Sequence, residues 1–96
     1  MTQLTLTSTQ SQVLRPVIES AIENEIRVFE VAIRKTQWRL HQFEGQYGLS
    51  TPEFLEQYRI GKIAETLEID EWIGESRMLD HLQSKLDTLR SLEIAD

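Results

Sequence analysis

Ile22, Ile26, Phe29, Ile33, Thr36, Leu40, Phe43 and Tyr47 recur at alternating spacings of four and three residues. That spacing sets one side chain per turn on a single helix face and makes a heptad seam, interrupted once by Thr36. It predicts a long helix over about 14–47. Pro16 is tolerated in the first turn, and no further Pro or Gly appears before Gly45. A second stripe, Val17, Val28, Val31 and Trp38, lies roughly opposite the first. The charged sector between the stripes is narrow, so this helix needs cover on two faces. At the α-helical rise it is ~50 Å long.

Toward the C-terminus, Trp72, Leu79, Leu82, Leu86 and Leu89 form one stripe of a second long helix, predicted over about 70–92. Asp70, Glu71 and Glu75 crowd its start while Lys85 and Arg90 stand near its end, as the helix dipole favours. Between the long helices, GLSTPEF at 48–54 reads as a corner. Gly48 suits the left-handed residue that ends a helix. Ser50 and Glu53 have the spacing of a capping box, and Leu49 with Phe54 that of a hydrophobic staple. A short helix over about 51–60 follows and should stop near Gly61. Residues 62–69, KIAETLEI, fit either a loop or another turn or two of helix.

The expected fold is therefore all-α: an antiparallel helical hairpin joined by a helical corner, forming one domain over 13–96. The first long helix exceeds the second by roughly 15 Å. The excess carries Val17, Ile18, Ala21 and Ile22, which have no evident cover within one chain. Leaving such side chains wet forgoes about 1.5–3 kcal/mol each, so a homodimer through the first helix or a bound partner is expected. Residues 1–12 form a flexible tail or a short strand, since Leu4 and Leu6 alternate with Thr5 and Thr7. Such a strand finds no partner in the rest of the sequence and would pair with another chain or with a copy of itself.

Charge and composition narrow the chemistry. The chain has 96 residues, no cysteine and a net charge of −6. Disulfides, thiolate-bound zinc and thiol catalysis are excluded. No apolar run approaches a membrane span and the start lacks a signal-peptide pattern, so a cytoplasmic location is expected. Residues 1–47 are neutral overall, whereas 48–96 carry the whole −6. Glu65, Glu68, Asp70, Glu71 and Glu75 follow one another with no base among them. Such a surface repels phosphates and favours a basic partner; simple solubility is the plainer reading. Arg27, Arg34, Lys35 and Arg39 make a modest basic patch, but no helix-turn-helix or ribbon pattern accompanies them and direct DNA binding is not expected. His41 and His81 are read as surface residues, and the acids lack metal-site spacing. No nucleophile, acid–base pair or phosphate loop is evident, so no enzyme and no cofactor are expected.

FEGQYGLSTPEFLEQYRIG, followed by Asp70, Glu71 and Trp72, resembles a group of small prokaryotic proteins with the pattern F-E-x-x-Y-G-[ML]-S-x-x-E-F, then a Gly, an acidic stretch and E-W. The matching residues are Phe43, Glu44, Tyr47, Gly48, Leu49, Ser50, Glu53, Phe54, Gly61, Glu71 and Trp72, within a resemblance covering about 40–90. Members of that group are taken as antitoxin-like partners of small toxins, including the TumE type. The resemblance implies a protein that neutralises a small basic toxin by binding it. A self-associating helical scaffold without a toxin is the alternative. The residues expected at a partner or dimer surface are Leu4, Leu6, Val17, Ile18, Ile22, Val28, Val31 and Trp38. Those expected to build the corner are Gly48, Leu49, Ser50, Glu53, Phe54, Gly61 and Trp72.

Overall fold

The computed structural model describes residues 2–5 and 11–95, with side chains described from 14 to 92. In chain order the elements are β1 (Thr2–Thr5), α1 (Ser11–Tyr47), α2 (Thr51–Arg59), α3 (Leu67–Arg90) and β2 (Leu92–Ala95). The body is all-helical, and α1 and α3 form its main packing contact. The molecule is a rod of 61 × 21 × 18 Å, so much of each helix faces water.

The seam of α1 is the buried one. Ile33, Thr36 and Leu40 are buried, and Ile26, Phe29 and Phe43 are half-buried. The Thr36 hydroxyl, polar within an apolar line, donates to the Ala32 carbonyl at 3.0 Å. That bond removes the cost of burying it. From α3 come Ile69, Trp72, Leu82 and Leu86, all buried. The core falls into two clusters along the rod: Leu40, Phe54, Ile69 and Trp72 at the corner, and Ile33, Leu82 and Leu86 at mid-length.

Trp72 is the centre of the corner. Its ring stacks on Phe54 with centroids 3.7 Å apart and on Phe43 at 5.5 Å, while Tyr47 tilts against it at 5.4 Å. Both Trp72 and Phe54 are fully buried. The indole Nε1–H donates to Thr51 Oγ1 at 3.0 Å, so its polar atom is satisfied as well. One side chain of α3 thus ties the end of α1 to the start of α2.

The chain enters this seat through local capping. Gly48 has φ 67° and its N–H donates to the Glu44 carbonyl at 2.9 Å, closing α1. Ser50 Oγ accepts from the Glu53 N–H at 3.2 Å, and Glu53 Oε1 accepts from the Ser50 N–H at 3.4 Å. This is the reciprocal capping box. Leu49 packs against the corner cluster that holds Phe54. Gly61, at φ 79°, turns the chain after α2.

Three expectations need correction. First, α3 begins at Leu67 and ends at Arg90, not at about 70 and 92. Thr66 caps it by accepting from the Ile69 N–H at 3.2 Å. This cap lies within the acidic run, just after Glu65, so Glu68 joins Asp70 in the first turn. Second, β1 has a partner within the chain. It pairs parallel with β2, with Thr2 opposite Leu92 and Leu4 opposite Ile94. A parallel pair needs a long crossover, and here the whole helical hairpin supplies it. Third, the overhang of α1 is not bare. Ile22 is half-buried and shares a small hollow with Leu92, and Ile26 packs on the mid-length cluster of Ile33, Leu82 and Leu86. Leu92, just past the end of α3, is thus a neighbour of the overhang within the chain, while Val17 and Ala21 stay exposed. Leu6 lies outside the described residues, and of Leu4 only the backbone is described.

Replacing Trp72 by Ala removes both stacks and leaves the Thr51 hydroxyl without its donor. A loss of about 3–5 kcal/mol is expected, a large part of the stability of a domain this size. Trp72→Phe keeps the stack, loses the hydrogen bond and costs roughly 1–2 kcal/mol. Urea unfolding midpoints of the two variants check the order.

Candidate functional site

Two stretches of surface carry groups that a partner could use, and the corner holds them in place. The first is the outer face of α1. Val17, Val28, Val31 and Trp38, the second stripe of the sequence, are 62, 52, 42 and 61% exposed. Nothing in the described chain covers them. Val28, Val31 and Ala32 floor a shallow groove edged by Arg27 and Lys35. Ile18 and Ile22, expected on the same surface, are half-buried and stand apart from this groove.

The second stretch surrounds the α2–α3 linker. Leu67 is 76% exposed, Met78 49% and Ile60 48%. Glu68, Glu71, Glu75 and Met78, with Phe43 and Gln46 of α1, line a groove between the long helices. The acidic run is not uniformly solvated charge. The Tyr47 hydroxyl donates to Glu68 Oε2, and Gln46 Nε2 donates to both Glu68 oxygens at 3.2 Å. The Tyr58 hydroxyl donates to Glu65 Oε1. These bonds clip the start of α3 to α1 and the linker to α2. They also shift both partners: Glu68 is held below the usual carboxylate range by Tyr47 and then Gln46, and each tyrosine is raised, first by the carboxylate it serves. Glu71 and Asp70 remain exposed beside Leu67.

Tyr47 and Tyr58 were not legible as linker clips in the sequence, because their partners lie 21 and 7 residues away on a segment of undecided conformation. Glu44 was likewise read only as part of the polar sector. Its Oε2 accepts from the Thr51 N–H at 2.7 Å, across the corner. The F-E pair of the motif thereby acquires a reason: Phe43 stacks on Trp72, and Glu44 satisfies the first free N–H of α2.

His41 is exposed and its Nδ1 lies 3.1 Å from Glu44 Oε1; His81 is exposed on α3. Among the described residues no cluster of three or more His, Asp or Glu could hold a metal ion. No described helix is long and apolar enough to cross a membrane. No protein-family model, curated protein or solved structure matches the chain. The functional reading rests on this geometry and on the motif it explains.

The Thr51 N–H and, to a lesser degree, His41 hold the Glu44 carboxyl below its ordinary range. A depressed folded pKa contributes stability that is present above the unfolded value, about 4.3, and is lost as pH falls through the folded one. Wild-type protein should therefore lose part of its stability below about pH 4. Glu44→Gln should be less stable at neutral pH, with the difference closing in acid. Urea midpoints measured from pH 7 down to pH 3 check this.

Proposed function

We propose that this protein is an antitoxin-like, non-enzymatic binding module that acts in the cytoplasm by neutralising a small basic toxin through direct contact. One observation carries the reading: exposed Leu67 and Met78 stand beside Glu71 and the Glu68–Glu75 groove, so apolar anchors and negative charge coincide on one surface. Such a surface suits a basic protein, with the apolar side chains giving affinity and the charge giving encounter rate. The motif residues support the reading indirectly. Apart from Glu71, which stands on the contact surface, they build the corner that presents it. Direct nucleic-acid binding through that surface is disfavoured by its charge.

Co-expression with the product of the adjacent reading frame tests the proposal. The two are expected to co-purify, growth inhibition by the neighbour is expected to be relieved, and Leu67→Asp with Glu71→Lys should abolish both effects. A neighbour that is not toxic, or one rescued equally well by the double variant, would overturn it.

Self-association is a second reading, favoured by Val17, which is 62% exposed on the part of α1 that extends past α3. In that case the two copies meet along the overhang. Val17→Asp with Ala21→Asp should halve the mass seen by light scattering while leaving helicity unchanged; a mass that is already monomeric in the parent protein removes this reading. Ile26 is unsuited to such a test, because it packs on α3 and its loss would damage the fold.

A further inference from the structure

We infer that the outer face of α1 between Arg27 and Arg39 is a second docking surface, and that it takes an acidic amphipathic helix of another protein. This goes beyond the toxin-binding reading, which uses the acidic surface around Leu67 and Glu71.

Isolated exposed apolar residues are ordinary. Val28, Val31 and Trp38 are not isolated: they fall on one stripe about 15 Å long and floor or extend one groove. The charge around them is equally ordered. Residues 27–39 contain four bases and one acid, net +3, in a chain of net −6. The single acid, Glu30, is occupied by Arg90 at 2.7 Å. Arg39 lies 3.3 Å from Glu75 of α3. Arg27, Arg34 and Lys35 are exposed and have no ion-pair partner among the described residues. The stripe is thus an apolar line with unneutralised positive charge on both flanks, on an otherwise acidic molecule.

Charge decides between occupants. An antiparallel second copy centred on Val31, the middle of the groove, would set the Arg27 of each chain opposite the Lys35 of the other. A parallel copy would set Lys35 on Lys35. Either arrangement opposes like charges along the contact. A nucleic acid would engage the bases but leave the valines wet, and the remaining chain, net −9, would repel its phosphates. A helix with an apolar stripe and carboxylates on its flanks satisfies both features at once, in the helix-to-groove mode.

Trp38 reports on this face and Trp72, fully buried, serves as an internal reference. The probe is a designed peptide of about 18 residues with Leu at heptad a and d positions and Glu on the flanks, compared with the same peptide carrying Lys on the flanks. Titrated into the full-length protein at physiological salt, the Glu peptide should shift Trp38 emission to the blue saturably. The Lys peptide should bind at least tenfold more weakly. Arg34→Glu with Lys35→Glu should reverse that preference with helicity unchanged, and Trp38→Phe should remove the signal. Because neither base belongs to the acidic surface, co-purification with the toxin should survive these changes.

Equal binding of both peptides, or no saturable shift, would overturn the proposal. So would a Trp38 shift on raising the protein concentration alone, which assigns the face to a second copy. A short single-stranded oligonucleotide that produces the same shift would assign it to a polyanion and also overturn it.

Discussion

The structure depends on the seat of Trp72. In a rod only two helices thick, no layer lies behind a side chain to hold it. The corner must fix the angle between α1 and α3 by itself. It does so with one indole: Phe54 stacked at 3.7 Å, Phe43 stacked at 5.5 Å, and Thr51 accepting its N–H. Those contacts come from the end of α1 and the start of α2, so burying one ring orders three helices together. Glu44 and the Ser50–Glu53 pair then satisfy backbone N–H groups that the turn leaves free.

Once the corner is set, the two faces of α1 have different fates. The seam from Ile26 to Phe43 is drawn onto α3. The opposite stripe is left facing water, because the hairpin has no third long helix to cover it. The cost is tolerable only as far as the exposed groups have another use, and their surroundings differ from one end of the molecule to the other. Exposed Leu67 opens α3 beside Glu68 and Glu71, and exposed Met78, farther along it, lines the Glu68–Glu75 groove with Arg39; on α1, Val28 and Val31 sit among bases, with exposed Trp38 farther along the same stripe. A chain that segregates charge in this way presents two chemically distinct surfaces on one rigid rod. Together they suit a protein that contacts a basic partner at the corner and an acidic helix along its back.

The seam and the corner were legible because both are local. A four-three spacing needs only one helix, and a capping box only four residues. Thr36 looked like a break in the seam, yet a hydroxyl bonded to Ala32 is at home there. What escaped the sequence was non-local. Thr66 caps α3 without a Glu or Gln three residues on, so its signal was half of the usual one. The β1–β2 pair joins the two ends of the chain through four residues on each side, too few to announce a register. The tyrosine clips depend on where the linker falls after folding. For the surface residues, the stripe Val17, Val28, Val31 and Trp38 was visible as unpaired apolar spacing, but the hollow that Ile22 shares with Leu92 was not, because it joins α1 to the chain just past α3.

A sealed corner leaves the back of α1 open. Iodide quenching of tryptophan emission tests it directly, since the ion reaches exposed rings and not buried ones. Two populations are expected in the isolated protein: an accessible one that disappears in Trp38→Phe, and a shielded one from Trp72 that persists until the protein unfolds. Shielding of both tryptophans in the dilute protein would contradict an open face, and quenching of both would contradict a sealed corner.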